Sequence, residues 1–124
     1  MLEMRAVYTS YEREEYLAPF GRTPEDGKTV VCARYEDRFV GAAYYAADGD
    51  TATLELYALV PGYTDETDYF LLGKAALNVM ELHGIKTVLY PDPSDEVMAK
   101  RLGFRLGADG VWTLSLVGYF TAAH

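Results

Sequence analysis

The side chains able to do chemistry are sparse and mostly isolated. Asp48 and Asp50 flank Gly49 at the spacing with which calcium loops begin, but the further oxygen ligands and the distant Glu of such loops are missing. Asp48-Gly49-Asp50 therefore reads as the tight turn of a hairpin. His83 closes an apolar helical pattern and His124 closes the chain. Neither has a cysteine or a second histidine at ligand spacing, which leaves them cap and tail roles and predicts no metal site. Ser94 and Ser115 lack a nearby histidine and acid, so no hydrolase triad is indicated. Lys100, Arg101 and Arg105 form the one basic cluster; charge opposing a helix C-terminus accounts for most of it, with contact to an anion as the alternative. Asp65, Glu66 and Asp68 have the converse explanation, since acids in a first helical turn stabilise it.

Composition narrows the partners. The chain has 124 residues, and 11 Lys and Arg against 19 Asp and Glu give a net charge of −8, a balance that suits one domain spanning residues 1–124. So negative a field repels nucleic-acid backbones and anionic lipid, and neither is expected as a partner. No apolar run is long enough to span a bilayer, and the N-terminus carries acids and Tyr where a signal peptide needs a hydrophobic stretch. The single cysteine, Cys32, excludes an intramolecular disulfide and sits in an apolar β-type run, as a buried thiol in a reducing compartment would. A cytoplasmic location is the expectation.

The elements that must position these residues follow from periodicity. Met4 to Tyr8 reads as a short strand, and Thr9-x-x-Glu12 has capping-box spacing before a helix from Tyr11 to Leu17 that ends at Pro19. Thr29 to Tyr35 and Phe39 to Tyr45 read as a hairpin, and Thr51 to Val60 returns as a third strand of an antiparallel meander. Apolar residues at both parities in Leu54 to Val60 predict a strand covered on both faces. Tyr69, Leu72, Ala76, Val79 and His83 fall at helical spacing, predicting a helix from Thr67 to His83 with Gly84 at its end. Ile85 to Tyr90 is a β-branched strand, so strand, helix and strand form a right-handed crossover with parallel strands. Ser94 is expected to cap a helix through Leu102 closed by Gly103, and Phe104 to Leu106 with Val111 to Tyr119 reads as a last hairpin.

Two stretches add a likeness to this order. Met98-Ala99-Lys100-Arg101-Leu102-Gly103-Phe104-Arg105 is similar to a helix ending K-L-G-F, and Leu59-Val60-Pro61-Gly62-Tyr63, followed by Lys74-Ala75-Ala76-Leu77, is similar to V-x-P-E-Y and the long helix after it. Over roughly residues 28 to 119 the chain resembles the GNAT N-acetyltransferase superfamily. The resemblance implies an α/β fold with a mixed sheet, an antiparallel meander followed by a βαβ crossover and a closing hairpin. It also implies that the third meander strand and the parallel strand splay apart, leaving backbone groups where an acyl-pantetheine arm pairs as a pseudo-strand. The helix N-terminus at the splay would face the cofactor diphosphate.

The residues depart from that implied chemistry. Aligned on Pro61 and Tyr63, the family's R-G-x-G-x-G falls on Thr64, Asp65, Glu66, Thr67, Asp68 and Tyr69, without a glycine or a basic residue. Each of the three carboxylates there repels a unit negative charge by about 2 kcal/mol at about 8 Å before salt screening. The helix dipole offers only about 0.3–1 kcal/mol. Side chains such as the Tyr69 ring stand where close backbone approach is needed. The general-acid Tyr of many family members aligns with Ala99, and the Asn that often begins the K-L-G-F motif aligns with Asp92. An activating base would be Glu55, although an isolated strand Glu is more often a solvated charge. The segment ahead of Thr29, where the family places a strand and two helices, is shortened or replaced.

Eleven tyrosines are many for this length. Tyr44, Tyr45, Tyr57, Tyr63, Tyr69 and Tyr90 lie in or near the meander and the implied splay, suited either to sheet packing or to an interface. The reading is a degenerate GNAT-like domain without expected cofactor. It binds a protein partner or a small uncharged or cationic molecule in a groove of Tyr57, Leu59, Tyr63 and Tyr90 with an acidic rim. Homodimerisation through an edge strand or aromatic face is one form of it. The alternative is an acyl-CoA-dependent N-acetyltransferase with a diverged loop, in which Leu59 backbone groups hold the acyl carbonyl of acetyl-CoA and Glu55 deprotonates an amine.

Overall fold

A computed structural model describes residues 1–121, so His124 lies outside the described residues. The chain begins with strand β1 (Leu2–Val7) and helix α1 (Ser10–Leu17). The hydroxyl of Thr9 accepts from the Glu12 amide at 3.3 Å, ending the strand and starting the helix as the capping spacing predicts. A 3-10 turn at Ala18–Phe20 carries Pro19. Strands β2 (Lys28–Tyr35), β3 (Arg38–Asp48) and β4 (Thr51–Leu59) form the meander. Its second turn pairs Asp48 with Thr51 across Gly49 and Asp50, and Gly49 takes φ +61°. Helix α2 (Glu66–Leu82), β5 (Thr87–Tyr90), α3 (Glu96–Leu102), β6 (Arg105–Leu106) and β7 (Trp112–Ser115) complete the described residues.

The seven strands form one mixed sheet in the order β1-β2-β3-β4-β5-β7-β6, antiparallel throughout except for the parallel pair β4 and β5. Alternation of side chains sorts β2 to two faces: Val31 and Ala33 join α2 and α3, while Val30 and Cys32 join α1. The larger core packs Leu54, Tyr57, Leu72, Ala76, Leu77, Met80 and Phe104. The smaller one packs Val7, Tyr16, Leu17 and Tyr44. Apolar burial on both faces makes the meander an inner sheet. No helix among the described residues is long and apolar enough to cross a membrane.

Three local expectations are corrected. Asp95, not Ser94, caps α3, its carboxylate accepting from the Met98 amide at 2.9 Å. Strand β7 stops at Ser115, and the chain turns so that the Tyr119 amide donates to the Leu116 carbonyl at 3.1 Å. The first strand starts at Leu2 and ends at Val7, where Met4 to Tyr8 was expected.

Gly73 marks the tightest approach between α2 and the sheet. A Cβ there would lie 2.6 Å from the Tyr57 hydroxyl and 2.7 Å from Leu102 Cδ1. Glycine to alanine in a helix ordinarily gains about 0.8–1 kcal/mol, but overpacking costs about 1–3. Gly73→Ala is therefore expected to lower the urea midpoint, with a net loss of up to about 2 kcal/mol; a raised midpoint would contradict the packing.

Candidate functional site

A β-bulge creates the site. On β3 Tyr44 pairs with Leu56 and its neighbour Tyr45 with Leu54, so Glu55 is the extra residue on β4. A bulge bends and twists its strand, and β4 parts from β5 just there: their pairing covers Thr51 to Thr53 against Thr87 to Leu89, while β4 runs on to Leu59. The Val60 amide donates to the Val40 carbonyl at 2.9 Å. The alternation of an antiparallel ladder then turns the peptide groups of Tyr57 and Leu59 away from β3, into the gap.

The gap is filled by a side chain. Tyr69, in the first turns of α2, donates its hydroxyl to the Tyr57 carbonyl at 2.9 Å. The Tyr57 hydroxyl in return donates to the Tyr69 carbonyl. The rings stack with centroids 4.2 Å apart and 22° between planes. Tyr90 lies against Tyr57 at 6.4 Å and against Phe104 at 5.6 Å. Burial pushes the phenols of Tyr57, Tyr69 and Tyr90 above their ordinary range, and hydrogen bonding to Ser94 partly offsets this for Tyr69 and Tyr90.

The turn into α2 is acidic for structural reasons. Asp65 is the N-cap, its carboxylate accepting from the Asp68 amide at 2.9 Å. Gly62 takes φ +88°, and the following Tyr63 donates its hydroxyl to the Asp68 carboxylate. That hydrogen bond, with some burial, pushes the Tyr63 phenol up to about 12. The Arg38 guanidinium lies 5.6 Å above the Tyr63 ring.

Glu55 faces two cations. Its carboxylate is 3.0 Å from Lys28 Nζ and 3.6 Å from an Arg22 nitrogen, and Arg22 also donates to the Glu55 carbonyl at 3.0 Å. Lys28 is shared with Glu25 at 2.8 Å, which raises the lysine and lowers the carboxylate from their usual ranges. Lys28 lies 5.8 Å from the ring of Tyr44, a residue of the α1-side core.

The residues read as a ligand groove therefore divide. Tyr57 and Tyr90 are each 2% exposed and belong to the core, which corrects the expectation that they line an open groove. The Tyr69 ring stacks on Tyr57. Leu59 and Tyr63 stay half-buried at the mouth. Of the aligned loop, Thr64 and Asp65 lie in the turn, and Glu66, Thr67, Asp68 and Tyr69 open α2. Ala99 is fully buried. His83 sits at the C-cap of α2, between the hydroxyls of Tyr45 at 3.1 Å and Tyr8 at 3.3 Å. Burial raises the Cys32 thiol above its ordinary range. No group of three metal-ligating side chains occurs among the described residues. The sequence reading missed the reciprocity of Tyr57 and Tyr69. Its one signal was Gly73, a glycine inside a strong helical pattern, one turn beyond Tyr69.

Neither a protein-family model nor a curated protein matches the sequence. Solved structures do. The spermidine/spermine N-acetyltransferase SpeG of Vibrio cholerae, solved in mutant forms, is similar with TM-score 0.75 at 9% identity, covering 100% of both chains. The GNAT-family N-acetyltransferase YhbS of Escherichia coli, in complex with CoA, gives 0.74 at 13% identity over 98% of this chain and 86% of its own. The ribosomal-protein-S18-alanine N-acetyltransferase of Escherichia coli gives 0.72 at 16% identity over 94% of each. At these identities the likeness is one of fold, and it agrees with the mixed sheet and three helices described above.

The tyrosine pair sets two expectations. Tyr69→Phe leaves the buried Tyr57 carbonyl without its partner and should cost about 1–3 kcal/mol in urea unfolding. Tyr69→Ala, which also empties the gap, should cost about 3–5 kcal/mol. Equal stability of wild type and Tyr69→Phe would contradict the hydrogen bond. The second expectation concerns pH. Tyr57, Tyr63, Tyr69 and Tyr90 hold their protons more tightly in the fold than their ordinary value of 10. Their contribution to stability is fully present below that value and lost as pH rises above it. The urea midpoint should fall above about pH 10, with phenolate absorbance from these residues appearing together with loss of structure. Complete phenolate formation in a protein of native circular dichroism would count against it.

Proposed function

We propose, with the GNAT N-acetyltransferase fold as premise, that this chain is a degenerate domain of that fold that neither holds coenzyme A nor transfers an acetyl group. It acts as a binding module instead. Its partner, a protein or a small uncharged or cationic molecule, meets the mouth of the β4–β5 gap at Leu59 and Tyr63, inside the acidic rim of Asp65, Glu66 and Asp68. The observation that carries this reading is the Tyr69 side chain. It fills the divergence of the strands and takes the Tyr57 carbonyl that an extended acyl-pantetheine arm would need.

The residues present do not fit the cofactor and its chemistry in four further respects. The Asp68 amide, one of the first-turn donors of α2, is already bonded to the Asp65 carboxylate. A diphosphate beside this turn would face acids at a cost of about 2 kcal/mol per unit charge pair at about 8 Å, against about 0.3–1 kcal/mol from the dipole. Ala99 has no proton to give a leaving thiolate. Glu55, the one candidate base, has its carboxylate engaged by Lys28 and Arg22.

The rival reading is an acyl-CoA-dependent N-acetyltransferase with a diverged diphosphate loop. Its support is the CoA held by the YhbS structure. It requires Tyr69 to leave the gap and Glu55 to shed its cations.

Thermal-shift and calorimetric titration with acetyl-CoA at low and moderate salt separates the two. The binding module predicts no stabilisation at millimolar acetyl-CoA. Saturable micromolar binding that shifts the melting temperature would overturn it in favour of the transferase.

A further inference from the structure

At the far edge of the sheet from α1, a surface cavity of about 380 Å³ lies between α3 and the β6–β7 hairpin. Its lining is Phe104, Leu106 and Trp112 with Lys100, Arg105 and Glu96. Phe104 and Trp112 are nearly buried, at 2% and 5% exposure, and form the inner lining, while Leu106 is 58% exposed. A large exposed leucine beside two aromatic residues is apolar surface with no partner among the described residues.

The charge at this cavity runs against that of the molecule. The chain carries −8 overall, yet two cations and one carboxylate surround the opening. Among the described residues neither the Lys100 nor the Arg105 side chain makes an ion pair or a hydrogen bond. Lys100 is placed only by its position 5.8 Å from the Trp112 ring. Arg101, the third cation of the cluster, is turned elsewhere, 4.4 Å over the ring of Phe70. Opposition to the α3 dipole explains why Lys100 and Arg101 are basic, since both lie in its last turn. It does not explain Arg105, which lies beyond the helix in β6.

We propose that this cavity is a binding site for a small monocarboxylate with an aromatic or branched apolar body. The body lies on Phe104, Trp112 and Leu106, and the carboxylate meets Lys100 and Arg105. A guanidinium donates two parallel N–H hydrogen bonds to a carboxylate lying in its plane, and an ammonium nearby adds a second cation. Glu96 on the rim sets the valence, because a dianion such as phosphate would meet a like charge and an apolar lining that cannot solvate it. The volume lies within the about 300–1,000 Å³ of small-molecule sites. The site opens on the β6–β7 side of β5, across the strand from the β4–β5 gap, and none of its lining residues belongs to β4 or α2.

Trp112 is the one tryptophan of the sequence, so its emission reports the cavity directly. Titration of the full chain with 3-phenylpropionate should give a saturable change in emission. 2-Phenylethylamine, with the same ring and opposite charge, should bind at least about tenfold more weakly, and inorganic phosphate should leave the emission unchanged. In the doubly substituted Lys100→Gln, Arg105→Gln protein the dissociation constant for 3-phenylpropionate should rise at least about tenfold with near-UV circular dichroism unchanged. Both residues are exposed and make no ion pair among the described residues, so this variant keeps the fold. Failure to saturate, equal affinity for the amine, a response to phosphate, or unaltered affinity in the double variant would each overturn the proposal.

Discussion

A strand that leaves its neighbour inside a protein exposes peptide groups that water cannot reach, and each such group costs free energy unless something bonds it. In this molecule β4 leaves β5 after Thr53 because Glu55 is inserted against β3. The Tyr57 carbonyl then points into the opening, and the structure answers it from within: α2 presents Tyr69, whose hydroxyl bonds that carbonyl and whose ring covers Tyr57. Much of the surrounding sequence follows. Gly73 leaves room for the Tyr57 hydroxyl as it reaches back to the Tyr69 carbonyl. Ala99 and Leu102 of α3 are buried in the same core.

The same turn shows how one residue choice serves stability and limits binding. Asp65 caps α2, and Asp68 lies in the first turn, where a carboxylate is favoured by the dipole and accepts the Tyr63 hydroxyl. These are ordinary reasons for acids at a helix start. Yet a carboxylate that satisfies a helix amide also removes that amide from any anionic ligand and adds a like charge beside it. Glu55 is a similar case on the α1 side. The bulge that opens the gap also turns this side chain to Lys28 and Arg22, so the inserted residue is held in an ion-pair network.

The fold was legible in the sequence because its signals are periodic. Apolar residues at both parities from Leu54 to Val60 announced a strand covered on two faces, and Leu54 and Tyr57 do join the larger core while Leu56 packs against the smaller one. Asp48-Gly49-Asp50 announced the turn, and the apolar stripe from Tyr69 announced α2. What was not legible depends on partners rather than pattern. A bulge has no composition, so nothing in Thr51 to Leu59 marks Glu55 as the inserted residue. Ser94 and Asp95 are adjacent and equally good caps by type, so the sequence does not choose between them; in the structure Asp95 accepts from the Met98 amide. A tyrosine's type does not say whether its hydroxyl faces a ligand or a carbonyl; Tyr57 and Tyr90 met protein, and the groove expected of them closed.

The two candidate binding regions have opposite electrostatics because they sit at opposite-signed helix ends. The mouth of the gap lies at the start of α2, where acids are stabilising; the cavity on β6 and β7 lies at the end of α3, where Lys100 and Arg101 are. Dipole complementarity thus sorts charge across a single sheet without any functional demand. Function enters where that rule leaves a remainder. At α2 the acids are consumed by an amide and by Tyr63, so the remainder is small. At α3 it is Arg105, outside the helix and beside Phe104 and Trp112 in the lining of the cavity, in a molecule of net charge −8. A cation in that position gains nothing from the helix, and its desolvated neighbours make an approaching carboxylate worth more there than in open water.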